Sequence, residues 1–298
     1  MMNLKNVSLA AAPLFIILCS LSVAAQDYDI RLEPLSRAGD KYQLSATASQ
    51  SIRVKLTSGA QVIQDTNDEF SLKLTADVRV LAVDAKGMAT SKSFTITSTT
   101  LLKDGATRPL LPQGAVVLAK LQDGHTLFEV NGKPLEEEVA KVLSSAIALH
   151  SSDSISDEDM FGSLSRRKVG ESWNLNIEAI MAFVKGLGGQ VSKENITGTT
   201  ILKKVENNQI VVHGIMDVAN VLLPLSSDFI PEKGEIHSEF NNRLPLVNSN
   251  AGSDFNNKVV MTFNGIGRRA PNTNEPVLRI NMTIQISSTF NIIPVPTK

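Results

Sequence analysis

From Lys41 onward, apolar and polar residues alternate with a period of two over runs rich in Thr, Val and Ile, the pattern of half-buried antiparallel strands. The clearest runs are FSLKLTADVRVLAV (70–83), SFTITSTTLL (93–102), AVVLAKL (115–121), TGTTILKKV (197–205), QIVVHGIMDVANVLL (209–223), KVVMTF (258–263) and VLRINMTIQISSTF (277–290). Turn-forming residues separate them: Asp84-Ala85-Lys86-Gly87, Asp123-Gly124, Asn131-Gly132 and Asn207-Asn208. Strands joined by such short turns pair antiparallel, because a parallel pair needs a long crossover.

Only two stretches carry the longer period of a helix. One is predicted to begin near Pro134, with three glutamates in its first turns and Leu135, Val139, Val142, Leu143 and Ile147 on one face. The other covers about Leu175 to Leu187, where Ile177, Ile180, Met181 and Val184 form a stripe and Gly186, Gly188 and Gly189 supply the exit. Each is expected to cover one face of a sheet.

LSRAGDKYQL (35–44) and LSRRKVGESWNL (164–175) share Leu-Ser-Arg followed by glycine, an acid, an aromatic and leucine, and each leads into a hairpin, turned near residues 85 and 207. Two matches of common residue types make a weak repeat, and the bland reading is that both are simply strand starts. The acidic stretch HSSDSISDED (150–159) divides the halves in either case. The expected fold class is thus mainly β with two covering helices (α+β), its antiparallel sheets arranged as two similar half-barrel-like modules. Residues 26–149 form a β-rich module with a C-terminal helix, 150–163 an acidic linker, and 164–298 a second β-rich module with an N-terminal helix.

The first 25 residues stand apart from this pattern. Lys5 precedes an uncharged, mostly apolar run from Val7 to Ala25, and Val23-Ala24-Ala25 offers the small residues read by a signal peptidase. A cleaved signal peptide is expected, and with it a periplasmic or extracellular location. An uncleaved anchor is the rival, since the run is just long enough to cross a bilayer. Lipidation at Cys19 is disfavoured by Leu18, which stands where lipoprotein signals carry a small residue. Cleavage after Ala25 removes the chain's only cysteine, leaving about 270 residues that must hold together by core packing. It also takes one lysine from 29 basic residues, leaving 28 against 30 acidic ones, and that near balance argues against a nucleic-acid partner.

Candidate chemistry is sparse. In the hairpin strand between Asp123-Gly124 and Asn131-Gly132, His125 and Glu129 share a face but lie four residues apart, about 13 Å at strand rise, too far for a dyad. His213 and His237 fall in predicted strands and His150 at a helix end, with no HExxH, His-x-His or Cys/His spacing for a metal. Asp153, Asp157, Glu158 and Asp159 lack the spacing and glycine of a calcium loop and read as a solvated linker face. GIGRRA (265–270) matches a dinucleotide expression, but Pro271, Asn272 and Asn274 follow where a helix must begin. GLGG (186–189) ends a helix instead of starting one. No G-x-S-x-G is present, and Ser165 opens an S-x-x-K that lacks its companion motifs. One tryptophan and two tyrosines make a poor sugar-stacking surface, and Trp173 reads as a core anchor. Asn195-Ile-Thr197 and Asn281-Met-Thr283 are glycan acceptors only in a eukaryotic secretory route.

No catalytic residue, cofactor or metal is therefore assigned. The sequence points to an exported, non-catalytic envelope protein that binds an apolar small molecule, a lipid or an envelope protein partner. The expected cavity lining is Leu72, Leu74, Val80, Val212, Ile215 and Met261. On β content, a covering helix and export alone, this shape is similar to the open half-barrel carriers that move lipoproteins across the bacterial periplasm. A structural or adhesion-type module and a hydrolase are the second and third readings, and no transmembrane segment is expected after cleavage.

Overall fold

Alternation becomes strand wherever the turn chemistry permits reversal. Asp104-Gly105, Asp123-Gly124, Asn131-Gly132 and Asn207-Asn208 each hold positive φ at both residues, the two-residue turn whose twist matches that of paired strands. In chain order the computed structural model contains β1 (Lys41–Ser58), β2 (Gln61–Val83), β3 (Ala89–Lys103), β4 (Ala106–Arg108), β5 (Val116–Gln122), β6 (His125–Val130) and β7 (Lys133–Pro134). After helices α1 (Glu137–Ser144) and α2 (Asp157–Phe161) come β8 (Ser172–Asn174) and α3 (Ile177–Gly186). The remainder is β9 (Ile196–Glu206), β10 (Gln209–Val221), β11 (Phe229–Pro231), β12 (Gly234–Pro245), β13 (Ser253–Gly267) and β14 (Leu278–Pro294).

The structure describes residues 26–33, 35–151, 154–246, 251–267 and 277–295. The expected leader with Cys19, Asp153 of the acidic stretch, and Arg268, Arg269 and Ala270 of GIGRRA with the Pro271, Asn272 and Asn274 that follow lie outside the described residues.

Among the described residues, all fourteen strands join one antiparallel sheet in the order β7-β6-β5-β3-β2-β1-β14-β13-β12-β10-β9-β8, with β4 beside β3 and β11 beside β13. The order is a meander cut at one place. Strands β7 and β8, consecutive in the chain, are the two edges of an open sheet, while β1 and β14 pair without interruption from Tyr42↔Pro294 to Ser58↔Leu278.

Two apolar cores lie against this sheet. One packs Val142 and Leu143 of α1, with Ala146, Ile147 and Leu149, on Leu44, Ala46, Leu72, Leu74, Phe94 and Val117. The other packs Ala179, Ile180 and Val184 of α3, with Met160 and Phe161 of α2, on Val212, Met216, Ile236 and Phe240. Register puts both on the same face. Leu44 stands opposite Ile292, Ile284 opposite Met261, Met261 opposite Ile236, and Ile236 opposite Val218, and directly opposed residues project to the same side.

The first predicted helix is corrected at its start. Lys133-Pro134 continues the hairpin, pairing with Val130 and Glu129, so Pro134 occupies an edge strand, where its missing N–H breaks no ladder, and the helix begins at Glu137. Of the expected face, Val142, Leu143 and Ile147 are buried and Leu135 and Val139 pack beside them. Within the 150–163 segment stands a short helix that the sequence reading did not expect. Ser156 and Asp159 form a reciprocal capping box that starts a third helix, α2, whose Met160 and Phe161 are buried. The second predicted helix is observed over Ile177–Gly186, capped by the Asn176 side chain.

The two Leu-Ser-Arg segments make the same set of backbone contacts. Gly39 and Gly170, at φ 95° and 86°, donate to Val80 O (2.9 Å) and Leu202 O (2.7 Å). Val80 N and Leu202 N donate back to Asp40 O (2.9 Å) and Glu171 O (3.1 Å). The side chains of Asp40 and Glu171 accept from Arg37 N and Lys168 N, three residues upstream in each case (2.6 and 3.0 Å).

Candidate ligand-binding face

Between the two helix-covered cores, the apolar face of the sheet continues across its centre. On β1 the even positions Ile52, Val54 and Leu56 resume, beyond Gln50, the apolar series begun by Leu44, Ala46 and Ala48. They stand opposite Ile284, Met282 and Ile280 of β14, and Ile286 and Ile284 stand in turn opposite Val259 and Met261 of β13. All of these central side chains are half-buried, not buried. Val259, Met261, Met282 and Ile284 lean on the second core, whereas Ile52, Val54, Leu56, Ile280 and Ile286 belong to neither. From Ile280 to Ile286 the row runs about 20 Å along the strand.

The other face at the same place is polar. Ser45, Thr47, Ser49 and Ser51 of β1 oppose Asn291, Thr289, Ser287 and Gln285 of β14, and Ser49 and Ser287 share a hydroxyl hydrogen bond of 2.7 Å. The centre of the sheet is thus amphipathic, apolar toward the side of the helices and rich in hydroxyls and amides on the other.

The six residues expected to line a cavity do not form one set. Leu72 and Leu74 are fully buried in the first core, and Val80 is buried on the same strand face. Val212 lies in the second core and Met261 packs against it. Ile215, three residues from Val212 on an unbulged stretch of β10, projects to the opposite, polar face beside Thr199 and Glu239. Sequence reading passed over Ile52, Val54, Leu56, Ile280, Ile284 and Ile286. Their strict alternation was visible, but which strand stood beside β14 was not.

The histidines are dispersed. His125 and His150 are exposed. His237 meets Asp217 across β12 and β10, Nδ1 to Oδ1 2.7 Å, on the polar face. His213 lies on the same face but four positions away along β10, about 13 Å, and its Nδ1 has no hydrogen-bond partner among the described residues.

A cleft of about 550 Å³ opens where the segment around Asp29–Leu35, the β2–β3 turn and the α2 connection meet. Its lining mixes Glu33, Glu158 and Asp159 with Arg31, Lys86 and Arg166. Glu158 accepts from Leu32 N and Glu33 N, which ties the N-terminal segment to α2. Burial, then the neighbouring charges of Asp157 and Glu158, push the Glu33 carboxyl above its ordinary value. Among the described residues no group of three or more His, Cys, Asp or Glu is arranged to hold a metal ion, and no helix is long and apolar enough to cross a membrane.

No protein-family model and no curated protein sequence matches the chain. Among solved structures it is similar to lipovitellin, in a structure described as lipid-protein interactions in lipovitellin, at 9% identity and a TM-score of 0.29, covering 88% of this chain and 26% of that one. It is also similar to Pseudomonas aeruginosa OpdQ (6% identity, TM-score 0.23, 86% of this chain and 98% of that one). An outer membrane channel from Pseudomonas putida aligns at 7% identity and a TM-score of 0.18, over 86% of this chain and 100% of that one. The chain spans about a quarter of the lipovitellin chain that it matches.

Proposed function

We propose that this is an exported, non-catalytic protein of the cell envelope that holds an apolar ligand, an acyl chain, along the open centre of its sheet. The carrying observation is the row Ile52, Val54 and Leu56 beside Ile280, Met282, Ile284 and Ile286, half-buried between two helix-covered cores. Burying a leucine-sized side chain is worth about 1.5–3 kcal/mol, so a contiguous row left short of burial favours a ligand that completes it. The row's length suits an extended hydrocarbon chain, and along β1 and β14 no titratable side chain interrupts it on that face, while Asp68 of β2 stands at its border opposite Ile52.

We infer further that the two cores are the centres of two similarly built half-barrel-like modules, 26–149 and 164–298, with 150–163 as their connection. The matched hydrogen bonds at Gly39-Asp40 and Gly170-Glu171 support this reading.

The test is organic extraction and mass spectrometry of the purified protein, followed by titration with a fluorescent fatty acid. Near-stoichiometric lipid, and binding lost in Val54→Asp, a position outside both cores, while its melting temperature stays within a few degrees of the parent's, is the expected result. A lipid-free protein that takes up no fatty acid ends the proposal.

A further inference from the structure

Strand β2 is longer than its neighbour β3. Its outer half, Gln61 to Glu69, pairs with β1 on one side, whereas β3 joins the other side only from Phe70↔Lys103 onward. All nine residues of this outer half are exposed. Among the described residues it is the longest run of strand with one side unpaired, since the sheet's nominal edges, β7 and β8, have only two and three residues.

The ladder fixes which main-chain groups face outward. Val295 N donates to Lys41 O, and Val80 N donates to Asp40 O. Alternation along β1 therefore directs its odd residues to β14 and its even residues to β2. Across the uninterrupted register, Gln64, Thr66 and Asp68 bond to Leu56, Val54 and Ile52. The N–H and C=O groups of Asp65, Asn67 and Glu69 then point to the free side. Such a row of donors and acceptors is the template that an added strand uses.

Charge selects the occupant. Asp65, Asp68 and Glu69 are the only ionisable residues of the nine, so the charge on the edge is all negative and lies between Asp65 and Glu69. Arg53 of β1 offsets Asp65 through two bonds of 2.7 and 2.8 Å, and Lys103 lies 4.0 Å from Asp68 while bonding Glu138 at 3.0 Å. Among the described residues Glu69 receives only the Asn67 amide, at 3.0 Å. Where the free edge meets β3, a hollow of about 340 Å³ is bordered by Glu69, Ser71, Asp104 and Ser287, with Lys103, whose ammonium is taken up by Glu138, and Lys258 also in its lining. A second copy would place acid against acid.

We propose that the free edge of β2 from Gln61 to Glu69 accepts an extended, basic segment of a partner protein as an added antiparallel strand, its first basic side chain entering the hollow beside Glu69 and Asp104. The proposal is independent of ligand binding on the apolar face.

The test is fluorescence anisotropy with the full chain and two labelled extended peptides of matching length, one alternating lysine with threonine and valine, the other with glutamate in place of lysine. The lysine peptide is expected to bind and the glutamate peptide to bind at least about tenfold more weakly. Asn67→Pro removes an outward N–H that β1 does not use, so it should abolish peptide binding yet melt near the parent, whereas Thr66→Pro should lower the melting temperature. If Asn67→Pro does not fold, Glu69→Lys carries the test, with about a tenfold loss of affinity for the lysine peptide. Equal binding of the two peptides, undiminished binding by the folded variant, or no binding of either peptide at millimolar concentration overturns the proposal.

Discussion

Trp173 Nε1 donates to the carbonyl of Phe161 at 2.8 Å, and this one bond ties β8 to the end of α2. Phe161 in turn meets Phe240 edge-on, centroids 5.0 Å apart at 81°, while the Arg167 guanidinium covers the outer side of the indole at 5.3 Å. Trp173→Phe keeps an aromatic ring but leaves a buried carbonyl without its donor. It should cost about 1–3 kcal/mol of stability, read from the urea midpoint at unchanged slope. A variant as stable as the parent would show that the connection docks by other means.

Gly214 stands opposite Phe240, and a Cβ there would collide with the phenyl ring. Gly214→Ala should destabilise by about 1–3 kcal/mol through overpacking, although alanine is otherwise acceptable in a strand. Combining it with Phe240→Leu should recover part of that loss, and strict additivity would argue against the collision as its cause.

Two carboxylates should titrate stability in opposite senses. Burial and the charges of Asp157 and Glu158 raise Glu33, so its contribution is favourable below the unfolded value and is lost as pH rises through the folded one. Glu33→Gln should therefore raise the melting temperature at neutral pH and lose that advantage in acid. The Lys168 N–H, then Arg167, hold Glu171 below its ordinary value, so its contribution is present above the unfolded value and fades as pH falls through the folded one. Glu171→Gln should lower the neutral melting temperature and leave the acid one unchanged. Melting curves between neutral and acidic pH distinguish the two, and parallel shifts would contradict both assignments.

The sequence reading predicts cleavage after Ala25, and with it a mature chain that begins at Gln26. Intact-mass measurement of the protein recovered from an exported fraction checks it directly. A mass that retains the Val7–Ala25 run would replace the leader with an anchor.

Strand content was legible because alternation and paired-residue turns are local. The turns at Asp123-Gly124, Asn131-Gly132 and Asn207-Asn208 stand where those residues predict them. The helix start at Pro134 misled because proline suits both a first helical turn and an edge strand, and only the partner, Glu129, decides between them. Asp157 and Asp159 of the acidic stretch are exposed, as a solvated face predicts, but the short helix they open was not legible, because its burial rests on Met160 and Phe161 just beyond them. The apolar row was hidden for a different reason. Ile52 and Ile284 are 232 positions apart in sequence, and nothing local says that they are neighbours.

The seam between β1 and β14 also sets a timetable for assembly. Its partners come from opposite ends of the described chain, so the sheet stays unzipped along its middle until residues 278–294 have been synthesised. Until then both β1 and β13 are raw borders with unpaired main-chain groups, and an unfinished molecule is at its most adhesive in the interval just before completion.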